Sequence, residues 1–177
     1  MHKDVKKILV SEEEIDKRSE VLAKEISEYY RSRNSVPMVV GLLKGSVPFM
    51  MELVMKMDID LEIDFMDVSS YSGTNSMEVK INKDVESPVI DKDVLIVEDI
   101  IDTGKTLDKV VEMFKAKGAK DIKIATLLDK PSRRVTKVKG DYIGFEVPDE
   151  FVIGFGLDYD QKYRNLPYVG VIKEEAI

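Results

Sequence analysis

The stretch V-L-I-V-E-D-I-I-D-T-G-K-T-L, Val94 to Leu107, limits what this chain can fold into more than any other. Val94 to Val97 are consecutive apolar residues and read as a short strand buried on both faces. Glu98 and Asp99 follow where that strand should end. After two further apolar residues, Asp102, Thr103, Gly104, Lys105 and Thr106 make a tight loop that opens a helix. Such a loop offers an anion free backbone N–H groups, two hydroxyls and the positive end of a helix dipole. Three carboxylates beside that cradle would repel a bare phosphate. The arrangement therefore asks for a ligand with two ends: a phosphate for the loop, and a diol or a Mg²⁺-bound group for the acids. A sugar phosphate has both. This is not the ATP-type loop G-x-x-x-x-G-K-[ST], because Asp99 stands where that motif needs glycine. The bland alternative is a strand, a turn and a capped helix with solvated acids. The acidic pair immediately before D-T-G-K-T counts against it.

The 177 residues suit a single domain, 1–177, with a sizeable core. With 44% hydrophobic and 34% charged residues the chain is globular rather than disordered. No apolar run approaches the roughly 18 residues of a membrane span, and M-H-K-D-V-K-K lacks the apolar segment of a secretory signal. Cysteine is absent, which removes disulfides and thiolate chemistry and fits the cytoplasm. The single histidine, His2, is expected at a frayed terminus, so a His-based triad or multi-His zinc site is excluded. Any general base must be a carboxylate, Lys or Tyr. The net charge of −7 argues against a broad nucleic-acid surface.

In chain order, Ser11-Glu12-Glu13-Glu14 is a capping-box pattern that opens a helix to about Arg33, with Ile15, Leu22, Ile26 and Tyr29 on its apolar face. An apolar strand, Met38 to Leu43, ends in Lys44-Gly45-Ser46 and leads into an apolar helix, Phe49 to Met55. This second strand-turn-helix is a second candidate anion site, although a lone K-G-S is more often only a turn, about two times in three. Ile59, Leu61, Ile63 and Phe65 alternate with acids and predict a half-exposed strand. Ser69 to Met77 lacks periodicity, and composition leaves two readings, a mobile lid or a hairpin connection before a strand from Glu78 to Ile81. A helix over Lys105–Lys117 ending at Gly118, then a continuous apolar strand Ile122–Leu128, completes a βαβ unit of a parallel sheet. Asp129-Lys130-Pro131-Ser132-Arg133-Arg134 follows on the same carboxyl edge, where open α/β sheets bind ligands. Tyr142–Val147, Phe151–Gly156 and Tyr168–Ile172 read as short strands of a flap. Phe151 is either core or a flat surface for a base ring.

The central motif resembles the phosphoribosyl-pyrophosphate signature of the type I phosphoribosyltransferases. L-L-K-G-S at 42–46, S-S-Y-S-G-T at 69–74, D-K-P-S-R-R, and above all G-F-E-V-P-D-E-F-V-I-G-F-G-L-D-Y at 144–159 are similar to the branch that acts on 6-oxopurines. The resemblance implies an α/β fold, a doubly wound, mainly parallel sheet flanked by helices with a small hood from the chain ends. It implies Mg²⁺-dependent transfer of a phosphoribosyl group to hypoxanthine or guanine by a homodimer or homotetramer. It assigns Asp102 to Thr106 to the 5′-phosphate, Asp102 also as general base at purine N7, and Glu98 and Asp99 to the ribose hydroxyls and Mg²⁺. Lys44, Gly45 and Arg164 would hold pyrophosphate, the first two through an often cis peptide, and Ser70 and Tyr71 would belong to the lid. Lys130 would donate to the 6-oxo group, Phe151 would stack on the purine, the Val152 backbone would read its edge, and Asp158 would bind a second Mg²⁺. Two other readings remain: an RNA-binding regulator of the same fold, which would show salt-sensitive binding to RNA, and a phosphoacceptor signalling domain, which explains neither D-T-G-K-T nor a lid. The apolar stripe Val47–Met57 is the expected self-association surface.

Overall fold

A computed structural model describes residues 1–72 and 77–177, with side chains left aside at 70–72, 77 and 78. In chain order the elements are β1 (Val5–Val10), α1 (Glu12–Ser32), β2 (Met38–Leu43), α2 (Val47–Val54), β3 (Glu62–Ser72), β4 (Met77–Lys83), β5 (Asp93–Ile101), α3 (Lys105–Ala116), β6 (Asp121–Asp129), β7 (Tyr142–Glu146), β8 (Val152–Ile153) and β9 (Val169–Ile172). Six strands form one sheet in the order β4-β3-β2-β5-β6-β7. All neighbours are parallel except β3 and β4, an antiparallel hairpin at one edge.

The apolar runs explain why β2 and β5 lie at the centre. Successive side chains leave opposite faces of a strand, so a run without polar residues is stable only when both faces are covered. Val39, Leu95 and Val97 face α1 and α2, packing with Leu22, Ile26, Phe49 and Leu53. Met38, Val40, Val94 and Ile96 face the other way, onto Leu107, Val110 and Phe114 of α3. Each fully buried side chain of this kind contributes about 1.5–3 kcal/mol relative to an exposed one. The capping box forms as expected: Ser11 N–H donates to Glu14 Oε2 at 2.8 Å, and Glu14 N–H to Ser11 Oγ at 3.3 Å.

Several local expectations are corrected. Tyr30 rather than Tyr29 completes the buried stripe of α1; Tyr29 sits at its margin and donates its hydroxyl to Asp121. The alternation at Ile59–Phe65 spans a bend and the start of β3, so period two does not hold across it, and Met66 is buried while Ile63 is 46% exposed. Of the two readings open for Ser69 to Met77, the described residues agree with the hairpin, since Ser69 to Ser72 pair with Met77 to Lys80; positions 73–76 lie outside the described residues. Tyr142–Glu146 joins the main sheet beside β6 instead of a flap. The N-terminus is not frayed: β1 pairs with β9, and the His2 N–H donates to the Tyr168 hydroxyl at 2.7 Å. β1, β9 and β8 make a small antiparallel sheet, the hood drawn from the two chain ends. Phe49, Met50 and Leu53 of α2 pack into this chain's own core, while Met55 on the same stripe is 73% exposed. Among the described residues no helix is long and apolar enough to cross a membrane.

Candidate active site

The strand order reverses between β2 and β5, and crevices at such reversals are where open α/β sheets bind ligands. The loops leaving β2 and β5 therefore meet. Gly45 lies against the Asp99 carboxylate so closely that a Cβ there would collide with it, and a Cβ on Gly156 would collide with the Gly45 carbonyl. The peptide bond joining Leu43 to Lys44 is cis.

Beyond β5, residues 102–104 turn the chain into α3. Gly104 takes φ +82°, and a Cβ there would meet Thr136 Oγ1 at 2.5 Å and Arg134 Cδ at 2.8 Å. Among the described residues Lys105 N–H reaches only Thr103 Oγ1, at 3.5 Å. The N–H groups of Gly104 and Thr106 have no acceptor among the described residues. These free donors, with the helix dipole behind them, line a pocket of about 110 Å³ together with Glu98, Asp102, Thr103 and Lys105. Arg134 braces the loop from behind. It donates to the carbonyls of Asp102 and Ile101, both at 3.1 Å, and of Val138 at 2.7 Å, and pairs with Asp129.

Glu98 and Asp99 are half-buried and adjacent. Glu98 Oε1 accepts the Asp99 N–H at 3.2 Å, and Asp99 Oδ1 accepts the Ile100 N–H at 2.7 Å. Burial, reinforced by the neighbouring Asp99 charge, pushes the Glu98 carboxyl well above its usual range, and burial raises Asp99 as well. Among the described residues no ion pair forms at either. Nor do the described residues hold a group of three or more His, Cys, Asp or Glu that could cage a metal. Two carboxylates short of positive charge suit Mg²⁺, which keeps several waters and is shared with substrate phosphates rather than caged by protein.

A second pocket, about 260 Å³, lies beside the first and is lined by Asp99, Asp102, Lys130, Arg133, Phe151, Val152, Leu157 and Asp158. Lys130 is only 5% exposed, and its Nζ donates to the Glu150 carbonyl at 2.6 Å. That leaves further ammonium protons for a ligand. Phe151 resolves its two readings: it is 48% exposed, held edge-on against Tyr159 at 5.6 Å and 86°, and so is not core. Val152 is buried in β8 and pairs with Val171. Asp102 Oδ1 stands 3.2 Å from Arg133 Nε.

At the far side, Arg164 pairs with Asp158 at 3.0 Å and donates to the Gly156 carbonyl at 2.8 Å. Asp158 Oδ2 also accepts the Gln161 N–H at 2.9 Å. Gln161 Oε1 accepts from Arg164 at 3.2 Å and from Lys44 Nζ at 3.5 Å, gathering two cations at one rim. The site thus unites Lys44, Gly45, Glu98, Asp99, Asp102 to Thr106, Lys130, Phe151, Val152, Asp158 and Arg164. The side chains of Ser70 and Tyr71 lie outside the described residues. Sequence reasoning gave Arg133, Arg134 and Gln161 no roles. The paired arginines just past β6 were a visible signal, whereas nothing about an exposed Gln161 marks it out.

Residues 8–160 match the family model for a phosphoribosyl transferase domain. A hypoxanthine-guanine phosphoribosyltransferase of Bacillus subtilis is 53% identical over 175 residues, covering 98% of this chain and 96% of that protein. The bifunctional protein TilS/HprT of Listeria monocytogenes is 51% identical over 99% of this chain, and the chain spans 27% of that longer protein's length. The crystal structure of a hypoxanthine phosphoribosyltransferase from Staphylococcus aureus superposes with a TM-score of 0.95 at 45% identity, covering 99% of this chain and 96% of the other.

Proposed function

The chain belongs to the phosphoribosyl transferase family, and from that premise we propose that it acts in purine salvage, transferring the 5-phosphoribosyl group of phosphoribosyl pyrophosphate to hypoxanthine and guanine. The observation that carries the substrate class is the second pocket. A nearly buried ammonium, Lys130, and an exposed aromatic face, Phe151, share it with a carboxylate, Asp102, beside the anion cradle.

In this reading the cradle at Asp102 to Thr106 takes the 5′-phosphate, and Glu98 and Asp99 take the ribose hydroxyls. Lys44, Gly45 and Arg164 hold pyrophosphate, and Ser70 and Tyr71 close over it. Phe151 stacks on the base while the Val152 backbone reads its edge. Purine N9 forms the new bond to the anomeric carbon as the bond to pyrophosphate breaks, and the N7 proton passes to Asp102. Lys130 donates to the 6-oxo group and stabilises the anion developing in the ring. An adenine amino group would instead present a donor to a donor, which is strongly discriminating in a buried site. Glu98 and Asp99, and separately Asp158, would hold Mg²⁺, which would supply charge compensation for the leaving pyrophosphate; Asp158 would share its oxygens with Arg164.

Residues 1–177 act as one domain, in the cytoplasm, as a homodimer or homotetramer, with no nucleic-acid partner. The RNA-binding and phosphoacceptor readings are not favoured by relatives that are oxopurine transferases over the full chain. Purified protein incubated with hypoxanthine, phosphoribosyl pyrophosphate and Mg²⁺ should yield IMP. If neither hypoxanthine nor guanine is consumed, the assignment is wrong.

A further inference from the structure

We infer that Arg133 is a positioning residue for Asp102, an inference that rests on the functional reading above. The backbone and the side chain of Asp102 are gripped by successive arginines. Arg134 Nε donates to its carbonyl at 3.1 Å, while Arg133 Nε stands 3.2 Å from Oδ1. Oδ1 is buried without an aligned hydrogen-bond donor among the described residues, so the guanidinium is its electrostatic partner. Arg133 is itself anchored. It ends the short 3₁₀ turn after β6, and its Nη1 reaches Asp149 Oδ1 at 3.5 Å. Asp149 lies 4.0 Å from Lys130 Nζ. Asp102, Arg133, Asp149 and Lys130 thus form a chain of alternating charge along the base pocket, joining the group that accepts the purine proton to the one that reads the 6-position.

A carboxylate on a tight loop has rotamer freedom, and a displacement of about 1 Å can cost about a hundredfold in rate. With one oxygen held by Arg133, the other is left to meet N7. The pair has little to do for the fold. Both side chains are near half exposed, 47% and 40%, and pairs so exposed to water contribute little to stability. The role should therefore appear in turnover.

The test is a double-mutant cycle with Arg133→Ala and Asp102→Asn, measuring IMP formation and melting temperature. Arg133→Ala should melt with the wild type, keep its KM for phosphoribosyl pyrophosphate, and lose about tenfold in kcat, within the range for coupled charged neighbours. In the Asp102→Asn background the same substitution should cost nothing further. Asp149→Asn, which frees the far anchor, should give a smaller loss that vanishes in Arg133→Ala. Unchanged kcat in Arg133→Ala, or an equal tenfold loss in both backgrounds, would overturn the inference while leaving the enzyme assignment standing. A wild type that makes no nucleotide from either oxopurine overturns both.

Discussion

Replacing Glu98 by glutamine should stabilise the ligand-free protein and disable it. Burial and the Asp99 charge raise the Glu98 carboxyl well above the ordinary glutamate range. A raised acid means that the native state holds a proton the unfolded chain has released. Between the unfolded and the folded pKa the unfolded state binds fewer protons, so stability falls as pH rises through that window. The slope for one proton is about 1.4 kcal/mol per pH unit. Because Glu98 is only half-buried, water moderates the accumulated loss. The neutral amide imitates the protonated acid and removes the slope. Below the unfolded pKa the variant and the wild type should melt together. Near pH 8 the variant should melt above the wild type, by about 2–4 °C for each kcal/mol of lost stability that the amide restores in a chain of this size. Adding Mg²⁺ and phosphoribosyl pyrophosphate should reverse the order, because ligand stabilises only the form that binds it. The assay is thermal unfolding at acidic and alkaline pH with and without ligand. A variant that melts below the wild type at pH 8 without ligand would refute the claim that the acidic pair is held together at a cost.

Lys130→Ala should raise the KM for hypoxanthine while phosphoribosyl pyrophosphate binding is retained, and should reduce the preference over adenine; initial rates with both bases decide, and an unchanged preference would show that another group reads the 6-position. Phe151→Ala, at a 48% exposed position, should change stability by less than about 0.5 kcal/mol yet weaken purine binding by about tenfold, as loss of a stacking surface does; calorimetry with IMP measures the second. Gly45→Ala places a methyl group in the Asp99 carboxylate, so activity should fall severely even though the chain still folds, which circular dichroism and turnover together would show.

The order of the central elements was legible along the chain because each carried its own period. The short, mostly apolar stretches at Val94–Val97 and Ile122–Leu128 read as buried strands, and the capping box at Ser11 announced α1 one residue before it began. The chemistry of the cradle was legible too, since D-T-G-K-T determines its free amides by local geometry. Partnership across the chain was not. Val5–Val10 reveals itself as a strand only by pairing with Val169–Ile172 at the opposite end, and Tyr142–Glu146 joins the main sheet through register with β6. Which residues of α2 enter the chain's own core, Phe49, Met50 and Leu53, was decided by β5 and α1 lying against it.

The site divides along the same line. Residue types and spacing along the chain determined which groups could meet a phosphate, a diol and a base. Only tertiary structure placed Asp99 against Gly45, Arg133 beside Asp102, and Gln161 between Lys44 and Arg164. Gly45 and Asp99, Asp102 and Arg133, and Lys44 and Gln161 are each more than thirty residues apart, and no local propensity encodes their meeting. The reversal of strand order between β2 and β5 brings Gly45 to Asp99, and the parallel pairing of β5 with β6 brings Arg133 to Asp102.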